Sequence, residues 1–263
     1  MATYTHGHHE SVLRGHGTRT IANSAEYLRP HLGKEMRLLD LGAGPGTITV
    51  DFAGHVGHVT ATEIGPDELA LSQKLAAAQG VTNIDFSIED VHALSFPDDT
   101  FDIAHAHQVL QHVGDPVQAL REMRRVTKPG GYVAARDADY AGFFWFPQLP
   151  ELDEWMRLYQ TAARANGGEP DAGRRLLSWA RAAGFTDIQV TTSTWSYASP
   201  AERADWGGMW ADRIRESALA RQLTTSGLAA ASDLDRISDA WRRWTDDPDA
   251  MILLPHVEIL CRV

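Results

Sequence analysis

Arg37-Leu38-Leu39-Asp40-Leu41-Gly42-Ala43-Gly44-Pro45-Gly46-Thr47 decides how the chain is read. The apolar run is too short for a helix and reads as a buried strand, and the three alternate glycines read as the turn leaving its carboxyl end. Glycine lets the backbone bend through positive φ and lets a ligand approach the N–H groups closely. The helix after the turn points its positive N-terminus at whatever sits there. A strand–helix turn that holds nothing is the plain alternative. The spacing excludes two ligand classes. A dinucleotide fingerprint needs its third glycine at 47, where the chain has Thr47. No G-x-x-x-x-G-K-S/T is present, which removes the phosphate-loop NTPases.

Outward from this stretch, strand and helix alternate. Helical segments are expected over Thr47–Ala53, Asp67–Gln79 and Pro116–Val126. Strands are expected at His58–Thr62, Ile84–Ile88, Phe101–Ala106 and Gly131–Arg136. This order predicts an α/β fold: a doubly wound, mostly parallel sheet with helices on both faces and ligands beyond the carboxyl ends of its strands. Past Asp137 the alternation stops. Helices are expected at Glu151–Ala165 and Arg174–Ala183, a sixth strand at Phe185–Trp195, a helical insertion near 200–247 and a seventh strand at Met251–Val263. Ahead of the core, Ile21, Ala25 and Leu28 suggest an amphipathic helix ended by Pro30 and Gly33.

The chain has 263 residues, 43% of them hydrophobic, enough for one large domain with a substantial core. Its formal net charge of −11 argues against nucleic acid as a partner. A lone cysteine, Cys261, and no apolar segment after Met1 make cytoplasmic localisation the expectation. No stretch is long and apolar enough to suggest a membrane partner. His6, His8, His9 and His16 lack the regular spacing of a metal site, so no metal is expected.

The glycine stretch resembles motif I of the class I S-adenosylmethionine (SAM)-dependent methyltransferases, whose loop wraps a ribose and an amino acid rather than a pyrophosphate. The next two motifs carry the resemblance on. Glu89-Asp90-Val91-His92-Ala93-Leu94-Ser95-Phe96-Pro97 is similar to the family's D-A-x-x-L-P-F segment, departing from it at Val91 and Ser95. Phe101 to Pro116 matches motif IV and the helix after it. Together they most resemble the ubiquinone/menaquinone-biosynthesis-like branch of small-molecule enzymes.

The resemblance implies a Rossmann-like, seven-stranded sheet with an antiparallel last strand, an N-terminal lid and helical insertions. It divides a single methyltransferase domain, 1–263, into parts. These are a lid and helix over 1–33, a cofactor-binding core over 34–139, and substrate-cap insertions over 140–175 and 198–248. The final helix and strands occupy 176–197 and 249–263. It implies SAM as cofactor, with S-adenosylhomocysteine as product. Asp40, Gly42, Ala43, Gly44 and Gly46 form the loop. Glu63 stands about twenty residues beyond the first glycine, where Rossmann-like sites place an acid for ribose hydroxyls, and Ile64 stands beside it. Asp90 faces the adenine amino group and Val91 offers a backbone donor. His107 gives a carbonyl to the methionine ammonium, and Gln108 flanks it. Glu89 reads as a solvated neighbour.

Methyl transfer is an in-line displacement, so positioning and exclusion of water carry much of it. Where the acceptor loses a proton, the candidate bases are His107 and, from the lid, His8 or His9, with Tyr4 as an orienting hydroxyl. A helix starting near 107 would put Gln111 on the face of His107, and His112 then turns away as a structural histidine. Gln111, Asp137, Phe144 and Trp145 are the substrate candidates. The aromatic residues at 143–146 and the tryptophans at 206, 210, 241 and 244 suggest a flat, apolar acceptor. The expected function is methylation of an aromatic or polycyclic small molecule, such as an indole or phenol, at carbon, nitrogen or oxygen. A quinone C-methyltransferase and a catalytically silent SAM-binding partner protein are the alternatives. A small-molecule acceptor and, beyond it, a second copy in a homodimer are the partners considered.

Overall fold

The computed structural model describes residues 18–263. Tyr4, His6, His8, His9, His16 and the expected lid lie outside the described residues. The described part opens with the one-turn helix α1 (Ile21–Ser24) and a 3-10 segment, Glu26–His31. The core then alternates β1 (Arg37–Leu41), α2 (Thr47–Ala53), β2 (His58–Glu63), α3 (Pro66–Ala78) and β3 (Ile84–Ile88). It continues through β4 (Phe101–His107), α4 (Pro116–Val126) and β5 (Thr127–Ala138). Next come β6 (Phe144–Phe146), α5 (Pro150–Ala165), α6 (Leu176–Ala182) and β7 (Asp187–Tyr197). Helices α7 (Pro200–Glu216), α8 (Ala218–Thr225) and α9 (Ala231–Asp246) lead into β8 (Met251–Arg262).

The sheet runs β3-β2-β1-β4-β5-β8-β6, with β7 on the other edge of β8. The first five strands are mutually parallel, and β8 is antiparallel to β5, β6 and β7. This is the expected Rossmann-like arrangement with one difference: eight strands are described, not seven. The addition is β6, within the segment read as a helical insertion. Phe144 and Phe146 are exposed while Trp145 is buried, the alternation of an edge strand.

Side-chain parity explains why the sheet is covered on both sides. In β1, Leu38 packs with Ile21, Leu28 and Phe52 on one face. Leu39 and Leu41 pack with Leu120, Met123 and Leu176 on the other. A third cluster forms the cap, where Trp155, Trp210, Trp241 and Trp244 from α5, α7 and α9 are all fully buried. Ile252 and Leu254 of β8 join it.

Two helical expectations are corrected. The helix over Ile21 to Leu28 breaks at Ala25, whose φ of −146° is not helical. A tighter 3-10 register still buries Ile21, Ala25 and Leu28. No helix begins near 107 either: His107 ends β4, Gln108 takes a φ of +55°, and a 3-10 turn covers Leu110–His112. Among the described residues no helix is long and apolar enough to cross a membrane.

Candidate functional site

A cavity of about 320 Å³ opens at the carboxyl ends of β1, β2 and β4. Gly42 to Pro45 of the loop line it, and residues of the cap complete the lining. All three loop glycines have positive φ. Gly44 is the one the cavity needs: its φ is +56°, and a Cβ there would meet nothing within 4 Å. The space that Cβ would take belongs to the cavity. At Gly46 the requirement is packing, because a Cβ would fall 2.8 Å from Ser72 Cα. Ser72 also donates its hydroxyl to the Gly44 carbonyl at 2.7 Å, tying α3 to the loop.

Glu63, at the end of β2, accepts the Gly44 N–H at Oε1 over 2.6 Å. Burial raises its pKa, and the Gly44 N–H opposes that rise. Ile64 beside it is 59% exposed and also lines the cavity. Asp40 is buried, with both oxygens engaged: Oδ2 accepts Thr49 Oγ1–H at 2.6 Å and Oδ1 accepts His105 Nδ1–H at 2.8 Å. These two contacts fix Asp40 beneath the loop.

Asp90 and Val91 follow β3 and reach the same cavity. Asp90 Oδ1 accepts from the His92 backbone at 2.9 Å and from His92 Nδ1 at 2.7 Å. These donors hold its carboxyl below the usual carboxylate range, so it is ionised at neutral pH. His92 also lines the cavity, and the sequence reading passed over it. Glu89 is corrected from solvated neighbour to buried brace. It accepts from Ser95 N at 2.9 Å, Ser95 Oγ at 2.6 Å and Ser87 Oγ at 2.8 Å. Ser95 stands where the family has proline, and its N–H and hydroxyl make contacts that proline could not.

His107 is buried in the lining, and among the described residues neither ring nitrogen has a hydrogen-bond partner. Burial, then the charges of Arg19 and Arg136, push its pKa well below the usual histidine value. The ring stays neutral and is poorly suited to keep a proton. Gln108 lines the cavity at the centre of a directed chain. Arg19 Nη2–H donates to its Oε1 at 2.7 Å, and its Nε2–H donates to His256 Nε2 at 2.8 Å. His256 Nδ1–H donates to the Leu254 carbonyl at 2.9 Å. This chain holds Gln108 in its left-handed conformation.

The four substrate candidates are not brought to the cavity. Asp137 follows Arg136 by one residue, so its side chain leaves by the opposite face of β5. There it is fully buried and accepts the Gln111 N–H at 3.0 Å. Burial raises its pKa to about 8. Gln111 is buried beside it, 3.0 Å from His112 Nε2. Phe144 faces outward, and Trp145 packs edge-on against Trp155 inside the cap. His112 is the reverse case: read as turned away, it lines the cavity, where burial and then Arg19 lower its pKa to about 3.

The cap wall is instead built by Tyr140, Phe143, Trp195, Trp206, Met209 and Leu254, with Arg213 among them. One signal could have marked Arg213. It lies on the apolar face of α7 with Met209, Trp210 and Ile214, where a charge is out of place. Trp195 belongs to the half-buried series Thr191, Ser193, Trp195, Tyr197 of β7, whose alternate neighbours are exposed, a period-two signal that also went unused.

A methyltransferase-domain family model matches residues 32–186. An uncharacterised methyltransferase of Schizosaccharomyces pombe is 35% identical over 98% of this chain and 95% of its own length. A ubiquinone/menaquinone biosynthesis C-methyltransferase of Bdellovibrio bacteriovorus is 37% identical, but over 37% of this chain and 42% of its own length. Among solved structures, a methyltransferase-like protein of Bacillus halodurans superposes with a TM-score of 0.60 at 17% identity, covering 90% of this chain and 97% of that one. The phosphoethanolamine N-methyltransferase 2 of Haemonchus contortus, in complex with SAM, superposes with a TM-score of 0.56 at 17% identity over 88% of this chain and 49% of that one. The fold and the match across most of the chain agree: this protein belongs to the methyltransferase-domain family, as a class I SAM-dependent methyltransferase of the small-molecule type.

Proposed function

We propose that the protein transfers a methyl group from SAM to an aromatic or polycyclic small molecule. One observation carries this reading. Glu63, Asp90 and the open side of Gly44 border one cavity whose far wall is aromatic. Glu63 would accept from the ribose hydroxyls, Asp90 from the adenine amino group, and the bare Gly44 backbone would lie against the nucleoside. SAM supplies an electrophilic methyl group on sulfur when bound. The protein's residues would orient and desolvate the acceptor. Tyr140, Phe143 and Trp206 offer flat faces to an aromatic ring. Trp195 and Leu254 would help keep water from the reacting atoms.

Neither His107 nor His112 fits as a strong base, since burial favours the neutral form of both. That favours acceptors whose nucleophilic atom is already ionised or needs no deprotonation. The test is incubation of the protein with isotope-labelled SAM and a metabolite extract, followed by mass spectrometry. Labelled methyl in an aromatic product supports the proposal. Label found only in aliphatic products, or tight SAM binding with no labelled product, refutes it.

A further inference from the structure

Among the described residues, Asp90 takes two hydrogen bonds, from the His92 N–H at 2.9 Å and the His92 ring at 2.7 Å. Both go to Oδ1, and Oδ2 takes none. The far side of the ring decides which nitrogen carries the proton. The Asp115 N–H can only donate, and it reaches His92 Nε2 at 3.4 Å, so Nε2 accepts and Nδ1 bears the hydrogen. An ionised carboxylate can only accept, so Asp90 demands the same tautomer from the other side. The backbone of His92 is tied as well, since Gln118 Nε2 donates to its carbonyl at 3.2 Å. Asp115 caps α4, and Gln118 stands in the first turn of that helix. A continuous line of hydrogen bonds therefore runs from the start of α4 through His92 to Asp90.

We infer that His92 is a positioning residue: it turns Asp90 so that Oδ2 meets the adenine amino group, and so makes the cavity selective for a purine bearing that donor. The side chains of His92 and Asp90 are 32% and 38% exposed, which leaves both room to turn. A carboxylate so placed samples several rotamers unless it is held. Fixing one rotamer before the ligand arrives removes an ordering cost from binding. Both ring nitrogens of His92 are engaged within the protein, so the ring acts on the ligand through Asp90 rather than by a hydrogen bond of its own. In the D-A-x-x-L-P-F pattern His92 stands at an unspecified position. The inference rests on the reading of Asp90 as the partner of the adenine amino group, and adds the residue that aims it.

The full-length protein is titrated by calorimetry with S-adenosylhomocysteine and with its 6-deamino analogue, in which hydrogen replaces the adenine amino group. The wild type is expected to bind the analogue about ten- to a hundredfold more weakly. His92→Leu should bind S-adenosylhomocysteine about three- to tenfold more weakly and the analogue as tightly as the wild type does, so the ratio between the ligands shrinks. A merely structural role would weaken both ligands alike. Two further variants separate the contacts of the ring. His92→Asn keeps a donor at the place of Nδ1 and should recover most of the ratio, whereas His92→Gln carries its amide at the place of Nε2 and should not. This contrast decides the matter where His92→Leu does not fold. An unchanged ratio in His92→Leu, both ligands weakened alike, or equal ratios in His92→Asn and His92→Gln overturns the inference. The adenine reading of Asp90 survives those outcomes if Asp90→Ala abolishes the wild-type ratio. Equal binding of the two ligands by the wild type, or no binding of either, overturns that reading and the inference with it.

Discussion

At Glu63 two demands oppose each other. Burial favours the neutral acid, while the Gly44 N–H and a ligand's hydroxyl donors favour the carboxylate. Bound ligand should therefore lower the Glu63 pKa from its raised value. Linkage then requires affinity to be highest above the raised, ligand-free pKa and to fall as pH drops through it. Calorimetric titration of S-adenosylhomocysteine across mildly acid to neutral pH is expected to show that fall in the wild type and a flatter profile in Glu63→Gln. At neutral pH, Glu63→Ala should weaken binding about ten- to a hundredfold, the value of hydrogen bonds to an ionised acceptor. Asp137 gives a second pH prediction with no ligand present. Its folded pKa is raised to about 8, so between the ordinary carboxylate range and pH 8 the unfolded chain binds fewer protons than the native one. Stability from this group is complete at acid pH and is lost as pH rises through that window, by up to about 1.4 kcal/mol per pH unit. Asp137→Asn should remove this slope, with a larger gain in Tm at pH 8 than at pH 5, read by thermal denaturation.

The Gly42–Gly46 loop and the turn after β4 show what an element's sequence reveals and what it conceals. Local signals place α2 and α4: glycine ahead of Thr47, and Asp115-Pro116 with Asp115 accepting the Gln118 N–H at 2.9 Å. Nothing local shows that Gln108 is held by Arg19 and His256, 89 and 148 residues away in sequence. The helix expected at 107 fails for that reason, and with it the shared face that placed Gln111 beside His107. β6 is missed because three aromatic residues do not reveal which edge they will pair with. Within the loop, two substitutions should separate function from folding. Gly44→Ala places its methyl in open cavity space at positive φ, a strain of about 1–2 kcal/mol. It should weaken S-adenosylhomocysteine more than it lowers Tm. Gly46→Ala drives its methyl against the Ser72 backbone, so Tm should fall further than in Gly44→Ala.

Across the whole molecule, β8 joins the two halves of the cavity. Its Ile252 and Leu254 are buried in the tryptophan-rich cap, while Ile259 and Cys261 are buried against α4 and α6. One strand therefore carries part of the cap and pairs antiparallel with β5, at the end of the run of parallel strands, and the two should unfold together. Trp155 tests this. It is fully buried and meets Trp210 and Trp241 edge-on at 4.7 and 5.0 Å between ring centroids, away from the cavity lining. Trp155→Ala should cost about 3–5 kcal/mol. Denaturant transitions followed by tryptophan fluorescence and by far-ultraviolet circular dichroism should shift together and remain superimposable. Affinity for S-adenosylhomocysteine should stay within about twofold, because the substituted site shares no partner with Glu63, Asp90 or the glycine loop. A fluorescence transition that precedes the dichroism change would show the cap opening on its own. The acceptor's binding site would then be set by the cap's own equilibrium rather than by the stability of the sheet.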